Sequence, residues 1–215
     1  MQNKKYIIVS IIVLLGVFFG GGYLYKKSQS DKTIELAKND ALILQRPYSV
    51  VLGKEDSKVQ MVEFFDPACG TCASFYHPVK SMLKDNYGDL KVVLRYAPFH
   101  KNSDHAIKML HGANEQGKFT EVLETMYASQ RYWIKNHVVD PNILWKIIAQ
   151  VDGLDMDKLL KFTKSSKADE IVKQDLADAD KLGVTKTPGF IVNGKPLQTF
   201  GLKNLQDLVE SEINK

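Results

Sequence analysis

The chain has 215 residues, two cysteines and a formal net charge of +4, a length that suits one ordinary domain with an appendage. The basic excess lies in the appendage: Lys4, Lys5, Lys26 and Lys27 are the only charged side chains in residues 1–28, and the rest carries 25 basic and 25 acidic residues. With no arginine-rich or aromatic-interleaved patch, that balance sets nucleic acid aside as a partner, and two cysteines exclude a disulfide framework while leaving one bridge, two metal ligands or one redox pair open.

In chain order, residues 6–25 come first, twenty residues without a charge. A helix rising ~1.5 Å per residue covers the roughly 30 Å hydrocarbon core over that length. Tyr6, Tyr23 and Tyr25, with the lysine pairs beyond them, are residue types expected at headgroup level. The pattern predicts an uncleaved N-terminal transmembrane helix within residues 1–28. A cleaved leader is the alternative, because Gly20-Gly21-Gly22 supplies small residues, although the apolar run exceeds the usual ~7–15 and lacks an Ala-x-Ala site. Lysines on both flanks leave its orientation open. Residues 29–46 read as a polar linker merging into a short helix around 33–44, and Pro47 marks entry to a domain spanning 47–215.

Within that domain, the valine-rich stretch 48–53 reads as an edge strand and the apolar run 59–65 as a buried one. Residues 73–84 read as a helix kinked at Pro78, and 91–97 as the next strand, completing a βαβ unit with parallel strands. From about 103 to 183 strand signals give way to helical periodicity. Ala106, Met109, Leu110 and Ala113 form one face, Phe119, Val122, Leu123, Met126 and Tyr127 a second, and Ile143, Leu144, Ile147, Ile148 and Val151 a third. Asp140-Pro141 opens the third helix, Gly153 closes it, Asp155 caps a fourth, and 166–182 is a fifth. The strand pattern resumes at Phe190-Ile191-Val192, with Asn193-Gly194 as a type I′ turn and 197–200 as the hairpin partner. Leu202, Leu205, Leu208, Val209 and Ile213 form the stripe of a closing helix. The fold class is α/β.

Cys69-Gly70-Thr71-Cys72 lies where the buried strand hands over to a helix. Unpaired amides and the positive end of the helix dipole there favour thiolate over thiol, so the pair is expected to be reactive. A C-x-x-C pair is also half a zinc site, for which His77 offers a third ligand. Structural zinc needs four ligands, however, and His100, His105, His111 and His137 lack the spacing, so no metal is expected.

The order βαβ, helical insert, ββα, with C-x-x-C opening the first helix and Lys186-Thr187-Pro188-Gly189 before the later strand, resembles the thioredoxin superfamily. The insert narrows the resemblance to the DsbA-like thiol:disulfide oxidoreductases of bacterial cell envelopes. It implies a thioredoxin fold with an inserted all-helical subdomain at about 103–183 and no cofactor. By the same resemblance Cys69 is the exposed nucleophile, Cys72 the resolving thiol, Glu63 a buried proton acceptor for Cys72, and Pro188 a cis-proline facing the disulfide. Gly70-Thr71 lacks the histidine of strongly oxidising members, and Thr187 before Pro188 also occurs in isomerase-type and reducing relatives, so both bear on the direction of electron flow. His77 is expected at the surface or in a substrate groove. The implied activity is exchange of the Cys69-Cys72 disulfide with unfolded or partly folded exported proteins, as an oxidant, on the extracytoplasmic side of the cytoplasmic membrane. The implied partner that resets the pair is a DsbB-like or DsbD-like membrane enzyme. The alternatives are a reductase or isomerase kept reduced by a membrane donor, and a non-enzymatic chaperone or copper carrier using the thiols as soft ligands.

Overall fold

The computed structural model describes residues 2–215, with the side chains of residues 2–5, 7, 9 and 12 excepted. Its first element is α1 (Gln2–Asn39), followed by a single 3-10 turn, Ala41–Ile43, capped by Asp40, whose carboxylate accepts from the Leu42 amide at 3.0 Å. This corrects the expected linker at 29–46. Thr33 is 3% exposed, with its hydroxyl 3.0 Å from the Leu182 carbonyl, and Leu36, Ala37, Ile43 and Leu44 pack on the sheet. The segment reads as polar because charged side chains occupy its outer face, while a narrow apolar stripe meets the sheet. The expected membrane helix lies in the earlier part of α1, and some of its residues, among them Ile7, Val9 and Ile12, fall outside the described side chains. Among the described residues no helix is long and apolar enough to cross a membrane.

Five strands form the central sheet: β1 (Val50–Gly53), β2 (Val59–Phe65), β3 (Leu90–Tyr96), β6 (Gly189–Val192) and β7 (Lys195–Pro196), in spatial order β1-β3-β2-β6-β7. β2 and β3 are parallel and every other pairing is antiparallel. α2 (Gly70–Asp85) connects β2 to β3 as expected and runs through Pro78. Alternation along β2 divides the interior in two. Met61 and Phe65 join the larger core, which includes Val79 and Met82 of α2 and Leu205 and Val209 of α8 (Leu202–Ile213). Val62 and Phe64 meet Ile43, Leu44, Ala179 and Leu182 on the other face.

The insert contains α3 (Ser103–Asn114), α4 (Phe119–Trp133), α5 (Pro141–Ile148), α6 (Met156–Thr163) and α7 (Ser166–Lys181). Asp140, Asp155 and Ser165 accept from amides of the first turns of α5, α6 and α7, the geometry for which these residue types are favoured. One departure is a two-stranded hairpin, β4 (Ile134–Lys135) and β5 (Val138–Val139), turned by Asn136 and His137 at φ 49° and 62°. The later hairpin turns at Asn193-Gly194 with φ 46° and 79°, as the dipeptide predicts, but its second strand is 195–196 rather than 197–200.

An ionic node joins segments remote in sequence. Arg95 of β3, fully buried, donates to Asp175 at 2.7 Å, to Asp178 at 2.6 Å and to the Ile43 carbonyl at 2.7 Å. Arg46 pairs with Asp178 at 2.7 Å, and the Tyr48 hydroxyl donates to Asp175 at 2.6 Å. The node ties the residues before β1 and helix α7 to the middle of the sheet, so each buried charge has a partner.

Candidate active site: a dithiol at a helix N-terminus

Cys69 is the N-cap of α2 and Cys72 lies in its first turn; the Cys72 amide donates to Cys69 Sγ at 3.4 Å. Both thiols are free. The expectation of an exposed nucleophile needs correction, since Cys69 is only 6% exposed and Cys72 fully buried. Access comes from the neighbouring dipeptide: Gly70 and Thr71 are exposed, and among the described residues, apart from its chain neighbours and its own helix backbone, nothing lies within 4 Å of where a Gly70 side chain would begin. Facing Cys69, Thr187-Pro188 has a cis peptide bond, and the Thr187 carbonyl lies 3.3 Å from Cys69 Sγ.

The two sulfurs differ in acidity. Hydrogen bonding from the Cys72 thiol, opposed by burial and reinforced by Thr187 and the amides of Cys72 and Thr71, lowers the Cys69 thiol to about 5. Burial, then the hydrogen bond and negative charge directed at Cys69, push the Cys72 thiol far above its ordinary value. Glu63 of β2 lies beneath the pair, 5% exposed. Burial first, and the Cys69 charge second, raise its carboxyl to about 8, and among the described residues nothing hydrogen-bonds to it. At neutral pH the site therefore holds a Cys69 thiolate, a Cys72 thiol and a neutral Glu63.

Supporting side chains hold the loop before α2, where Asp66 is the residue the sequence marks as shaping it and His100, Ser103 and Gln130 are not. Asp66, fully buried, accepts from the Ala68 amide at 2.8 Å, from the His100 amide at 3.0 Å and from the Ser103 hydroxyl at 3.0 Å, and its Oδ2 is 2.8 Å from His100 Nδ1. That bond, against burial, raises the His100 pKa, with the charges of Asp66 and Cys69 adding to it. From α4, the Gln130 amide donates to the carbonyls of Pro67 at 2.8 Å and Cys69 at 3.2 Å. Only tertiary packing brings His100 and Gln130 here, and a lone polar residue in a helix or loop carries no sequence signal of it. His77 stands apart, exposed on α2 and edge-on to Tyr76 at 5.3 Å. Among the described residues no group of three or more metal-ligating side chains forms.

A β3-β2-β6 sheet centre, a C-x-x-C pair capping the helix after β2 and a cis-proline opposite define a thioredoxin-fold dithiol protein. A family model described as thioredoxin matches residues 45–211, and the chain belongs to that family. Among curated proteins it is 28% identical to a probable disulfide bond formation protein D of Bacillus anthracis, over 76% of this chain and 78% of that one. It is also 28% identical to the Na(+)/H(+) antiporter NhaA of Herminiimonas arsenicoxydans, over 82% of this chain, and there the match spans only 28% of the relative's length. Among solved structures, a thioredoxin-like oxidoreductase from Silicibacter pomeroyi DSS-3 superposes with a TM-score of 0.69 at 26% identity, covering 82% of this chain and 99% of that one.

Proposed function

We propose that the protein oxidises pairs of thiols in exported, incompletely folded proteins by donating its Cys69-Cys72 disulfide. The observation that carries this reading is the placement of Cys69 as the N-cap of α2, accepting from the Cys72 amide at 3.4 Å with Cys72 fully buried behind it, an arrangement that lowers the Cys69 thiol and raises the Cys72 thiol. In the oxidised protein a substrate thiolate attacks Cys69 Sγ, and the Cys69-Cys72 bond breaks as the mixed disulfide forms. Cys72 leaves as a thiolate and takes a proton from neutral Glu63, which regains it from water. A second substrate thiolate attacks the substrate sulfur of the mixed disulfide and expels Cys69 as a stable thiolate. The substrate loses two electrons and two protons to become a disulfide, and the enzyme's disulfide becomes a dithiol. With a value near 5, ionisation of Cys69 at pH 7 favours the reduced enzyme by about 3 kcal/mol over a protein whose thiol stays neutral, on the order of 60 mV toward oxidising behaviour for a two-electron couple.

The reaction needs the dithiol to be reset, and a DsbB-like membrane enzyme is the proposed partner. The proposed location is the extracytoplasmic side of the cytoplasmic membrane, with residues 6–25 holding the protein there. Support comes from the charge-free run and from exposed side chains such as Ile8, Leu14, Phe18 and Leu24. Equilibration with glutathione tests the direction of flow. A potential more positive than the ~ −200 mV end of the glutaredoxin range is expected, and a value near ~ −270 mV, that of thioredoxin, overturns the oxidant in favour of a reductase reset by a DsbD-like donor. The Cys72→Ser variant, which strands mixed disulfides on Cys69, should trap a ladder of envelope proteins; absence of any adduct refutes exchange with exported proteins.

A further inference from the structure

A cavity of about 330 Å³ opens between the edge of the sheet and helices α2 and α4, and Gly70, Thr71 and Pro188 are not part of its lining. Leu52, Leu94, Val79, Leu83 and Leu123 line it together with Glu63. Two of its polar lining groups are engaged, the Tyr76 hydroxyl and Lys80 both bonding to Glu124, at 2.7 and 2.8 Å, while the Thr120 and Tyr127 hydroxyls form no hydrogen bond among the described residues. The Glu63 carboxyl has no such partner among the described residues, although only 5% of the residue is exposed. A concave, mostly apolar chamber of this size with an unbonded, nearly buried carboxyl in its lining has the make-up of a small-molecule site.

We propose that this cavity binds a compact, uncharged aromatic or aliphatic molecule that carries a primary carboxamide and docks head first on Glu63. A neutral carboxyl presents one donor and one acceptor side by side, and a carboxamide returns the complementary pair in the same plane. An amine or amidine would require the nearly buried Glu63 carboxyl to ionise, and a carboxylate would set two acids together. Burial keeps Glu63 protonated at neutral pH, which supplies the donor half of the pairing. Resting on the reading of Glu63 as the proton donor and acceptor for Cys72, an occupant has a second effect: it holds the Glu63 proton and slows disulfide exchange from a site that leaves the substrate face open.

The probe is 2-naphthamide, titrated by NMR into the full chain carrying Cys69→Ser and Cys72→Ser, so that binding is read without redox chemistry. Saturable shifts of the Leu52, Leu94 and Leu123 amides are expected. Glu63→Gln, which keeps a donor and an acceptor, should retain the affinity, and Glu63→Leu should weaken it about tenfold or more. Thr120→Trp, which fills the exposed mouth of the cavity, should abolish it. Absence of shifts, equal affinity in the Glu63→Leu variant, or shifts centred on Pro188 and Phe200 would overturn the site. In the wild-type protein, turnover that falls as the site saturates supports the coupling. Binding with unchanged turnover leaves the site standing and counts against Glu63 as the proton relay.

Discussion

Replacing Glu63 by glutamine separates the chemistry of the carboxyl from its shape. The folded carboxyl titrates at about 8, and an exposed one near 4.5. Between those values the unfolded chain has lost a proton that the folded chain keeps, so the stability this group contributes is fully present below 4.5 and is lost as pH rises through 8. Each pH unit in that window costs about 1.4 kcal/mol, giving about 3 kcal/mol at pH 7 and between about 4 and 5 kcal/mol by pH 8.5. The glutamine side chain carries no such dependence, so the gap between variant and wild type should widen in the variant's favour from pH 4 to pH 8.5. A constant offset of about 1–3 kcal/mol from a buried, unpaired amide shifts both ends equally and leaves the slope intact. Urea denaturation of the reduced proteins at pH 4, 5.5, 7 and 8.5 reads this directly. A difference that stays flat across the series refutes a buried neutral carboxyl at this position.

Arg95→Leu should cost about 3–5 kcal/mol in urea unfolding, because it strands Asp175 and Asp178 without their buried partner; a loss below about 1 kcal/mol would show that the node is already hydrated. His100→Ala should raise the Cys69 pKa, followed by thiolate absorbance at 240 nm, by up to about one unit because the cation it removes is partly exposed; an unchanged titration would detach His100 from the site.

Local chemistry makes the site's centre readable and leaves its supports hidden. Cys69-x-x-Cys72 after an apolar strand, the dipeptide Asn193-Gly194 and the caps Asp140 and Asp155 each act within a few residues, so their geometry follows from their neighbours. Glu63 is legible for the opposite reason, as a charge inside an apolar run. Arg95 breaks its strand in the same way and carries the same signal, but its partners lie 80 and 83 residues away and no spacing reveals them. Thr33 sits among polar residues, and only contact with the sheet shows that it belongs to the core. The turn at Asn136-His137 is signalled by an asparagine between Ile134 and Val138, a signal obscured by the helical periodicity around it. The low exposure of Cys69 depends on the closing loop at Thr187-Pro188, which comes 118 residues later.

The Arg95 node also sets an order of events as the chain is made. Synthesis proceeds at roughly 5–20 residues per second, so the 80 residues that separate Arg95 from Asp175 take about 4 to 16 s to emerge. Through that interval β2 lacks its later neighbour β6, and the face of β3 that carries Val93 is bare of the α7 residues that cover it. Arg95 then stands in water as a charge that interrupts the apolar run and discourages pairing with other chains. When α7 arrives, the same guanidinium is drawn inside and becomes the fastener of the finished sheet.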